Sequence, residues 1–198
     1  MRPMGKEPVV VLSDRFVDAV GEAVRLHARQ ARRGNGVPYV SHLLAVAGLV
    51  LEYGGDEDQA IAALLHDGPE DQGGEQTLAA IRERFGDRVA GIVAACSDTF
   101  ETPKPPWRER KDAYLARLDA SGADVWLVTL ADKVHNARTI VADLRELGPG
   151  TLDRFNGGHD GTLWYYGSLA ERISALAPGP LADELVRLAA EMCVLAGR

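Results

Sequence analysis

Apolar residues recur at the spacing of an α-helix from residue 124 to residue 147, and this pattern constrains the fold more than any other feature of the chain. Because the apolar positions cover more than half of the helix circumference at its start, we expect residues 125–131 to be the most deeply buried segment. Further helices are predicted at residues 14–31, 43–51, 56–67, 75–85, 87–96, 107–118, 159–176 and 181–195. No segment favours a strand, so the sequence predicts an all-α helical bundle.

The chain length fits one domain with a substantial core, since 198 residues bury most of their apolar surface on folding. We expect residues 1–12 to form a loose leader, residues 14–176 to form the core and residues 181–195 to form a C-terminal helix. The proline-rich segment 102–106 is predicted to be a rigid, extended connector. It is not a domain linker, because neither side of it alone contains all the candidate site residues.

The charge and the apolar patterning exclude several classes of protein. A net charge of −7 argues against general nucleic-acid binding by phosphate neutralisation. No window has the apolar length of a membrane span, and the apolar run at residues 9–12 is too short for a secretion signal. Cys96 and Cys193 are interpreted as small core residues in a reducing compartment, with a disulfide as the less favoured alternative. We therefore expect a cytoplasmic protein.

The stretch from Leu64 to Asp71 concentrates ligand-type side chains at the end of an apolar helix. His66 and Asp67 are adjacent, and a neutral imidazole with a carboxylate suits a divalent cation such as Mn, Fe, Co or Zn. Glu70 and Asp71 follow at once and could act as a base on a water held by such a cation. The alternative is an acidic helix end that runs into a polar loop, although acids at this end oppose the helix dipole.

Two further candidates for a metal site lie in other predicted helices. Asp132 falls inside the buried run, where a carboxylate is costly unless it is paired or bound to a metal. His135 and Asn136 can share its helix face, whereas Lys133 is expected to point away and reach solvent. His42 opens the second predicted helix after a Pro-Tyr loop, and taken alone it favours a capping or core role. The sequence therefore predicts a mixed nitrogen and oxygen metal site between helices. Its candidate residues are His42, His66, Asp67 and Asp132.

Charge is distributed unevenly in the first half of the chain. Residues 34–81 contain no Lys or Arg but contain eight acids: Glu52, Asp56, Glu57, Asp58, Asp67, Glu70, Asp71 and Glu75. The residues just before them include Arg25, Arg29, Arg32 and Arg33. This arrangement suits an anionic substrate bridged to a cation, and the alternative is an ordinary solvated helix face. His27 lies among these arginines and is interpreted as a partly buried helix histidine, not a ligand.

Four ordered motifs resemble a known family. They are Arg32-Arg33 followed by GVPYVSH, then LLHDGPED, then FGDRVAGIV, then TLADKVHNAR. The order of His, His-Asp and Asp on helices resembles the HD-domain metal-dependent phosphohydrolases. The finer strings resemble the hydrolase domain of the RelA/SpoT-type alarmone hydrolases, above all the small stand-alone members of the metazoan SpoT homologue type. The resemblance covers residues 14–176, and the ordered set is far more specific than the HD dipeptide alone.

The resemblance implies a chemistry and a ligand set. It implies Mn²⁺-dependent hydrolysis of the 3′-pyrophosphate of ppGpp or pppGpp, which releases GDP or GTP and pyrophosphate. The implied metal ligands are His42, His66, Asp67 and Asp132. Glu70 and Asp71 are implied to orient and deprotonate the attacking water. The implied substrate-binding positions are Arg32 and Arg33 beside the guanine, and Tyr39 and Asn136 near the nucleoside. Lys133 and Arg138 match motif letters without an implied role.

The chain departs from the family pattern at a few positions. Gly68-Pro69 replaces the small or β-branched pair that often separates the HD and ED letters, and we expect Pro69 to stiffen that loop. Arg33 stands where many relatives have Lys, which preserves charge and stacking. The chain has no room for a synthetase domain, so hydrolysis alone is expected. Residues 155–158 and 164–166 are candidates for the pocket mouth, with core packing favoured for Trp164.

Alternative functions remain open at this point. The same chemistry could act on another phosphorylated nucleotide, such as an NADPH-type 3′- or 2′-phosphate or a 5′-nucleotide. A non-catalytic nucleotide sensor is a second alternative, but a sensor is expected to have lost ligands or the Glu-Asp pair, and this chain keeps them all. A purely structural bundle would leave the buried Asp132 unexplained. In each enzymatic case we expect a small nucleotide as partner, and neither nucleic acid nor a membrane.

Overall fold

The computed structural model describes residues 10–33, 36–101 and 103–198, and this part of the chain is helical without a β-strand. Its helices are α1 Asp14–Leu26, α2 Val40–Glu52, α3 Glu57–Leu65, α4 Gly68–Asp71, α5 Gly74–Phe85, α6 Asp87–Cys96, α7 Trp107–Asp119, α8 Ala123–Leu147, α9 Gly158–Leu176 and α10 Pro180–Leu195. A 3₁₀ helix, Pro149–Arg154, joins α8 to α9. The all-α prediction is confirmed. Most of the predicted leader, residues 1–9, lies outside the described residues.

Helix α1 ends at Leu26, five residues before the predicted end, because the chain turns back on itself there. The backbone N–H of Tyr39 donates to the carbonyl of Gln30 at 2.9 Å, and the only β-type pairing in the described chain is a bridge between Ala31 and Pro38. We call this turned-back segment, residues 30–33 and 36–39, the arm. Gly34 and Asn35 of the predicted turn lie outside the described residues.

Helix α3 is the centre of the core, and the prediction that residues 125–131 would be most buried is wrong. Every residue from Gln59 to Leu65 is buried, because α3 packs against α1, α2, α5, α6 and α8. Its three large aliphatic side chains each contribute roughly 1.5–3 kcal/mol by burial. At the start of α8, Trp126 is only half-buried, and its indole N–H donates to the carbonyl of Leu118 at the periphery.

The chain breaks its helical course between α3 and α4. Helix α3 was predicted to run to Asp67, but it ends at Leu65 with His66 as its C-cap. Pro69 is buried in the first turn of α4, where its missing N–H removes no helical hydrogen bond. A Cβ on Gly68 would lie 3.2 Å from Leu26, so α4 approaches α1 closely. The break places His66 and Asp67 just before α4, and Glu70 and Asp71 within it.

Cys96 and Cys193 are unpaired and half-buried. Helix α10 packs on α8 and α9, and Arg138 of α8 forms a bidentate ion pair with Glu184 of α10 at 2.6 and 2.9 Å. Among the helices of the described residues, none is both long and apolar enough to span a bilayer.

Trp107 fastens the α6–α7 connector to the start of α9. A Cβ built on Gly157 would lie 2.7 Å from two atoms of the indole, and a Cβ on Gly161 would lie 3.0 Å from it. The indole also meets Trp164 and Tyr165 edge-on, with ring centroids 6.1 and 6.3 Å away. The absence of side chains at the two glycines therefore makes the space that the indole fills.

We predict that Gly157→Ala destabilises the protein by about 1–3 kcal/mol, because the new methyl group overlaps a rigid ring. The backbone at Gly157 has φ −81°, which alanine adopts freely, so the effect is steric. Gly167→Ala in the same helix is the control, since its Cβ would meet nothing within 4 Å. Urea unfolding measures both, and equal midpoints for the two variants would contradict the packing role of Trp107.

Candidate metal centre and substrate cleft

Four side-chain atoms from four different parts of the fold converge on one point. The Nε2 of His42 lies 3.1 Å from Asp132 Oδ1 and 3.6 Å from Asp67 Oδ2. The Nε2 of His66 lies 3.0 Å from Asp67 Oδ2 and 3.7 Å from Asp132 Oδ1. His42 comes from the first turn of α2, and His66 and Asp67 are the cap residues between α3 and α4. Asp132 comes from the middle of α8. The structure thus brings together all four residues predicted as metal ligands.

Hydrogen bonds to the far ring nitrogens aim both imidazoles at this point. His66 Nδ1 donates to the carbonyl of Ala63 at 2.8 Å, which leaves the lone pair on Nε2. His42 Nδ1 lies 2.8 Å from His135 Nδ1. Burial and the neighbouring His42 lower the pKa of His135 to about 4, so a neutral His135 can accept from His42. Each Nε2 is then free to bind a metal, as in sites where an outer partner fixes the tautomer.

The residues present fit a divalent metal ion. Both Nε2 atoms are buried and lack a hydrogen-bond partner in the described chain, which is costly without a ligand. Atoms bound about 2.1 Å from a common ion are roughly 3.0–3.4 Å apart in octahedral or tetrahedral geometry, close to the distances seen here. Imidazole and carboxylate without sulfur suit the first-row transition metals. The cluster of His42, His66 and Asp67 is therefore a site that could hold a metal, with Asp132 alongside.

Both carboxylates of the cluster are held in the ionised form. Without a metal, the two carboxylates raise the pKa of His66, and the positive charge that His66 then carries, together with His42, keeps the pKa of Asp67 well below its usual range despite burial. Burial likewise opposes ionisation of Asp132, and Lys133 with the two imidazoles lowers that pKa. The prediction that Lys133 points away is wrong, since its Nζ lies 2.5 Å from Asp132 Oδ2 and the side chain lines the cleft. The attraction between opposite charges in a dry site outweighs solvation of the ammonium group.

Tyr39 and Asn136, predicted to contact substrate, also hold the metal-site carboxylates. The Tyr39 hydroxyl donates to Asp67 Oδ2 at 2.6 Å, and burial together with Asp67 raises the tyrosine pKa, so the proton stays on the oxygen. The amide of Asn136 donates to Asp132 Oδ1 at 2.6 Å and accepts from Arg32 at 2.9 Å. These two residues therefore link Arg32 of the arm to the metal centre.

Glu70 and Asp71 lie on α4 and line the same cleft. Glu70 accepts from the backbone N–H of Asp98 at 3.1 Å and from Lys104 at 3.0 Å. Asp71 accepts from the side-chain amide of Gln30 at 2.7 Å. Partial withdrawal of the Asp71 carboxyl from water and the nearby carboxylates of Asp67 and Glu70 raise its pKa. The two predicted catalytic acids thus stand beside the metal centre, each held by donors from another segment.

A cleft of about 530 Å³ opens from the metal centre between the arm, the α6–α7 connector and the start of α9. Its lining contains Arg32 and Arg33, as predicted, while Arg25 pairs with Glu22 elsewhere. The basic residues that line it are Arg32, Arg33, Lys104, Arg110, Lys111, Lys133 and Arg154. Such a cleft suits an anionic ligand that also approaches a cation.

Sequence patterns did not identify part of this lining. Asp98 is buried and forms ion pairs with Arg110 and with Lys111, the latter at 3.1 Å. Burial lowers the pKa of Lys111. These residues follow no motif that was recognised, and their only signal was a dense group of charges on either side of the proline-rich connector.

The segments suggested for the pocket mouth divide as expected. The lining includes Phe155, Asn156, Gly157, Tyr165 and Tyr166. Trp164 instead packs on Trp107 and carries the guanidinium of Arg108 at 3.4 Å from its ring centroid. Arg138 does not line the cleft.

Comparison with known proteins gives consistent results. A profile described as HD domain matches residues 19–153. The human protein named guanosine-3′,5′-bis(diphosphate) 3′-pyrophosphohydrolase MESH1 is 34% identical over 140 residues, which are 69% of this chain and 73% of that protein. A Synechocystis protein named as a probable enzyme of the same activity is 36% identical over 123 residues. This match covers 61% of this chain but 16% of that relative.

Solved structures share the fold over nearly the whole chain. A structure titled as a metazoan ortholog of SpoT that hydrolyzes ppGpp has a TM-score of 0.72 at 23% identity, and the match covers 98% of this chain and 99% of that one. A Listeria monocytogenes EGD-e structure has a TM-score of 0.68 at 31% identity and covers 80% of this chain. The first of these likenesses shows the fold alone.

We predict that Mn²⁺ raises the thermal unfolding midpoint of chelator-treated protein, because binding to the folded state alone stabilises it by about 2.7 kcal/mol at one hundred times the Kd. Asp67→Ala should abolish the shift by removing one oxygen of the cluster. Asp87→Ala is the control, since that carboxylate is exposed at the start of α6. An equal shift in both variants would place the bound metal elsewhere.

Proposed function

This chain belongs to the HD domain family, and on that premise we propose that it hydrolyses the 3′-pyrophosphate of guanosine alarmones, ppGpp or pppGpp. The observation that carries the proposal is the convergence of two imidazoles and two carboxylates at the end of a cleft lined by seven basic residues. The human relative, of which this chain covers 73%, carries this activity in its name. We include residues 1–198 in one hydrolase unit, with residues 14–176 as its core.

We assign the metal ligands to the converging atoms of His42, His66, Asp67 and Asp132, and we propose Mn²⁺ as the ion. When bound, the ion supplies Lewis acidity that promotes ionisation of a water and offsets charge on the reacting phosphoryl group. Tyr39 and Asn136 orient the two carboxylates through their hydrogen bonds. His135 orients the His42 ring by contact with its far nitrogen.

Glu70 and Asp71 act on the attacking water. Both carboxylates follow the metal centre on α4 and are anchored from outside by donors, so a water between them and the cluster is oriented and loses its proton to a carboxylate oxygen. The water oxygen bonds to the phosphorus at the ribose 3′ position, and the bond from that phosphorus to the 3′ oxygen breaks. The 3′ oxygen takes up a proton from solvent and becomes a hydroxyl, while the carboxylate returns the proton of the attacking water to solvent. Pyrophosphate leaves, and GDP or GTP remains.

The arm receives the guanine end of the substrate. Arg32 is held by Asn136 and lies 5.9 Å from the Tyr39 ring centroid, and Arg33 donates to Asn156 at 3.3 Å. Planar guanidinium groups stack on bases as well as pair with phosphates. Lys104, Arg110 and Lys111 add positive charge around the phosphates, although each is paired with an acid of this chain. A nucleotide substrate and two free cysteines support a cytoplasmic location.

We predict that the purified, Mn²⁺-loaded protein converts ppGpp to GDP and pyrophosphate, resolved by ion-exchange chromatography. NADPH and 5′-nucleotides are assayed in parallel, with phosphate and pyrophosphate measured separately. Release of phosphate from one of these, without turnover of ppGpp, would favour the other phosphorylated nucleotides. An absence of any turnover, with the metal confirmed in the sample, would favour a nucleotide sensor.

Glu70→Gln should lower kcat by about 10²–10⁴-fold, the range of a general base, and leave the metal content unchanged. The substitution keeps the shape of the side chain and removes its charge. Glu75→Gln is the control, because Glu75 is exposed on α5 and outside the cleft. Elemental analysis accompanies the kinetics. Loss of metal in Glu70→Gln would make Glu70 a ligand and contradict the division of roles.

A further inference from the structure

We propose that Gln30 is a positioning residue that fixes the Asp71 carboxylate for hydrolysis, and that His27 acts through Gln30. The inference rests on the proposed function, since it concerns the carboxylate assigned to the attacking water. Neither residue touches the converging metal-site atoms. Both lie behind Asp71, where α1 ends and the arm begins.

The side-chain amide of Gln30 is fixed by three contacts. Its Nε2 donates to Asp71 Oδ2 at 2.7 Å, and its Oε1 accepts from the amide of Gln72 at 2.8 Å. The same Oε1 lies 2.7 Å from His27 Nδ1. Because a carbonyl oxygen has two lone pairs, both acceptor positions are used, and a flipped amide would lose all three contacts. The amide therefore presents a donor to Asp71 in one defined orientation.

His27 fixes Gln30 at some cost to stability. Since Oε1 only accepts, His27 Nδ1 donates to it. The other ring nitrogen, Nε2, is buried and has no hydrogen-bond partner among the described residues, a situation that costs about 1–3 kcal/mol. A leucine of similar size would fill the space without this cost. The imidazole thus has a use beyond packing, and its bond to Gln30 is that use.

The same histidine also supports the metal side of the site. Its ring stacks on Tyr39 with centroids 5.1 Å apart and planes 21° apart, and Tyr39 donates to Asp67. The backbone bond between Tyr39 and Gln30 keeps the two side chains in register on the arm. One short segment therefore orients a carboxylate at the metal centre and the carboxylate beside it.

This arrangement matters because Asp71 is exposed and would otherwise adopt several rotamers. With Oδ2 held by Gln30, the other oxygen is left to act on the water. Misplacement of a reacting group by about 1 Å can cost 10²-fold in rate, so partial loss of order should lower kcat while substrate binding persists. The inference thus separates Gln30 from Arg32 and Arg33, whose loss should raise KM.

The test is a double-mutant cycle on the metal-loaded full chain with ppGpp as substrate. Gln30→Leu should lower kcat about tenfold, with KM and metal content within error of the native protein. It should also lower the stability by about 1–3 kcal/mol, because His27 Nδ1 loses its acceptor, so activity is measured well below the unfolding midpoint. His27→Phe keeps a ring against Tyr39 but removes the donor, and it should lower kcat by a smaller factor. The double variant should match Gln30→Leu alone, because the phenyl ring keeps the stacking on Tyr39 and the N–H that it removes acts only through Gln30.

Two controls sharpen the cycle. Gln76→Leu removes an exposed amide on α5 outside the cleft and should change nothing. In an Asp71→Asn background, Gln30→Leu should cause no further loss. Unchanged kcat in Gln30→Leu, additive losses in the double variant, or loss of the metal or of the folded state under assay conditions would each overturn the inference.

A readout besides activity separates this inference from the proposed function. The side-chain amide resonances of Gln30 in a ¹⁵N-labelled sample should shift in Asp71→Asn and in His27→Phe but not in Gln76→Leu. If the native protein fails to release pyrophosphate from ppGpp, the proposed function is contradicted. The amide resonances then test the contacts of Gln30 independently of activity. A response to both substitutions supports the relay from His27 to Asp71, and no response overturns it.

Discussion

The structure depends on one electrostatic constraint: a buried carboxylate, a half-buried carboxylate and two buried imidazoles surround the same point. Withdrawing a carboxylate from water costs several kcal/mol even after relaxation, and two such charges also repel each other. Lys133 offsets the charge of Asp132, and the Tyr39 hydroxyl donates to Asp67, but nothing in the described chain donates to the lone pairs of His42 and His66. A divalent cation satisfies all four groups at once, which is why the proposed chemistry begins with the metal.

The fold meets this constraint by breaking a helix in its most buried region. Consecutive side chains on a continuous helix point about 100° apart. His66 and Asp67 keep right-handed helical backbone angles, but they stand at the junction between α3, which ends at Leu65, and α4, which begins at Gly68, and His66 Nε2 reaches to 3.0 Å from Asp67 Oδ2. The burial of every residue from Gln59 to Leu65 holds this junction rigidly, and the short helix that follows carries Glu70 to the same cleft. Local strain is low, since Pro69 occupies a position that suits it.

The metal centre was predictable from sequence to a greater extent than the cleft around it. Asp132 interrupts an apolar helix, and His66-Asp67 stands at the end of another, so each violates a local pattern that sequence analysis detects. Gln30 departs from no local sequence pattern. Its role depends on a hydrogen bond to Asp71, which is 41 residues away in the sequence. Helical periodicity directs Lys133 towards solvent because it takes no account of the charge of the neighbouring Asp132. Helix α3 is more deeply buried than the start of α8 because it packs against more helices. The apolar pattern of a single helix does not indicate how many neighbours that helix has.

The cleft also shows why an acidic chain can take an anionic ligand. Charges separated by more than about 8 Å are largely screened at physiological salt, so the local arrangement decides and not the net charge of −7. Most basic residues of the cleft are already paired, Lys133 with Asp132 and Lys104 with Glu70 among them. Within the described residues, Arg32 and Arg33 form hydrogen bonds to amides and no ion pair. Their guanidinium charge and planar faces are therefore the part of the cleft left for a ligand, and a base flanked by phosphates is the ligand that uses both.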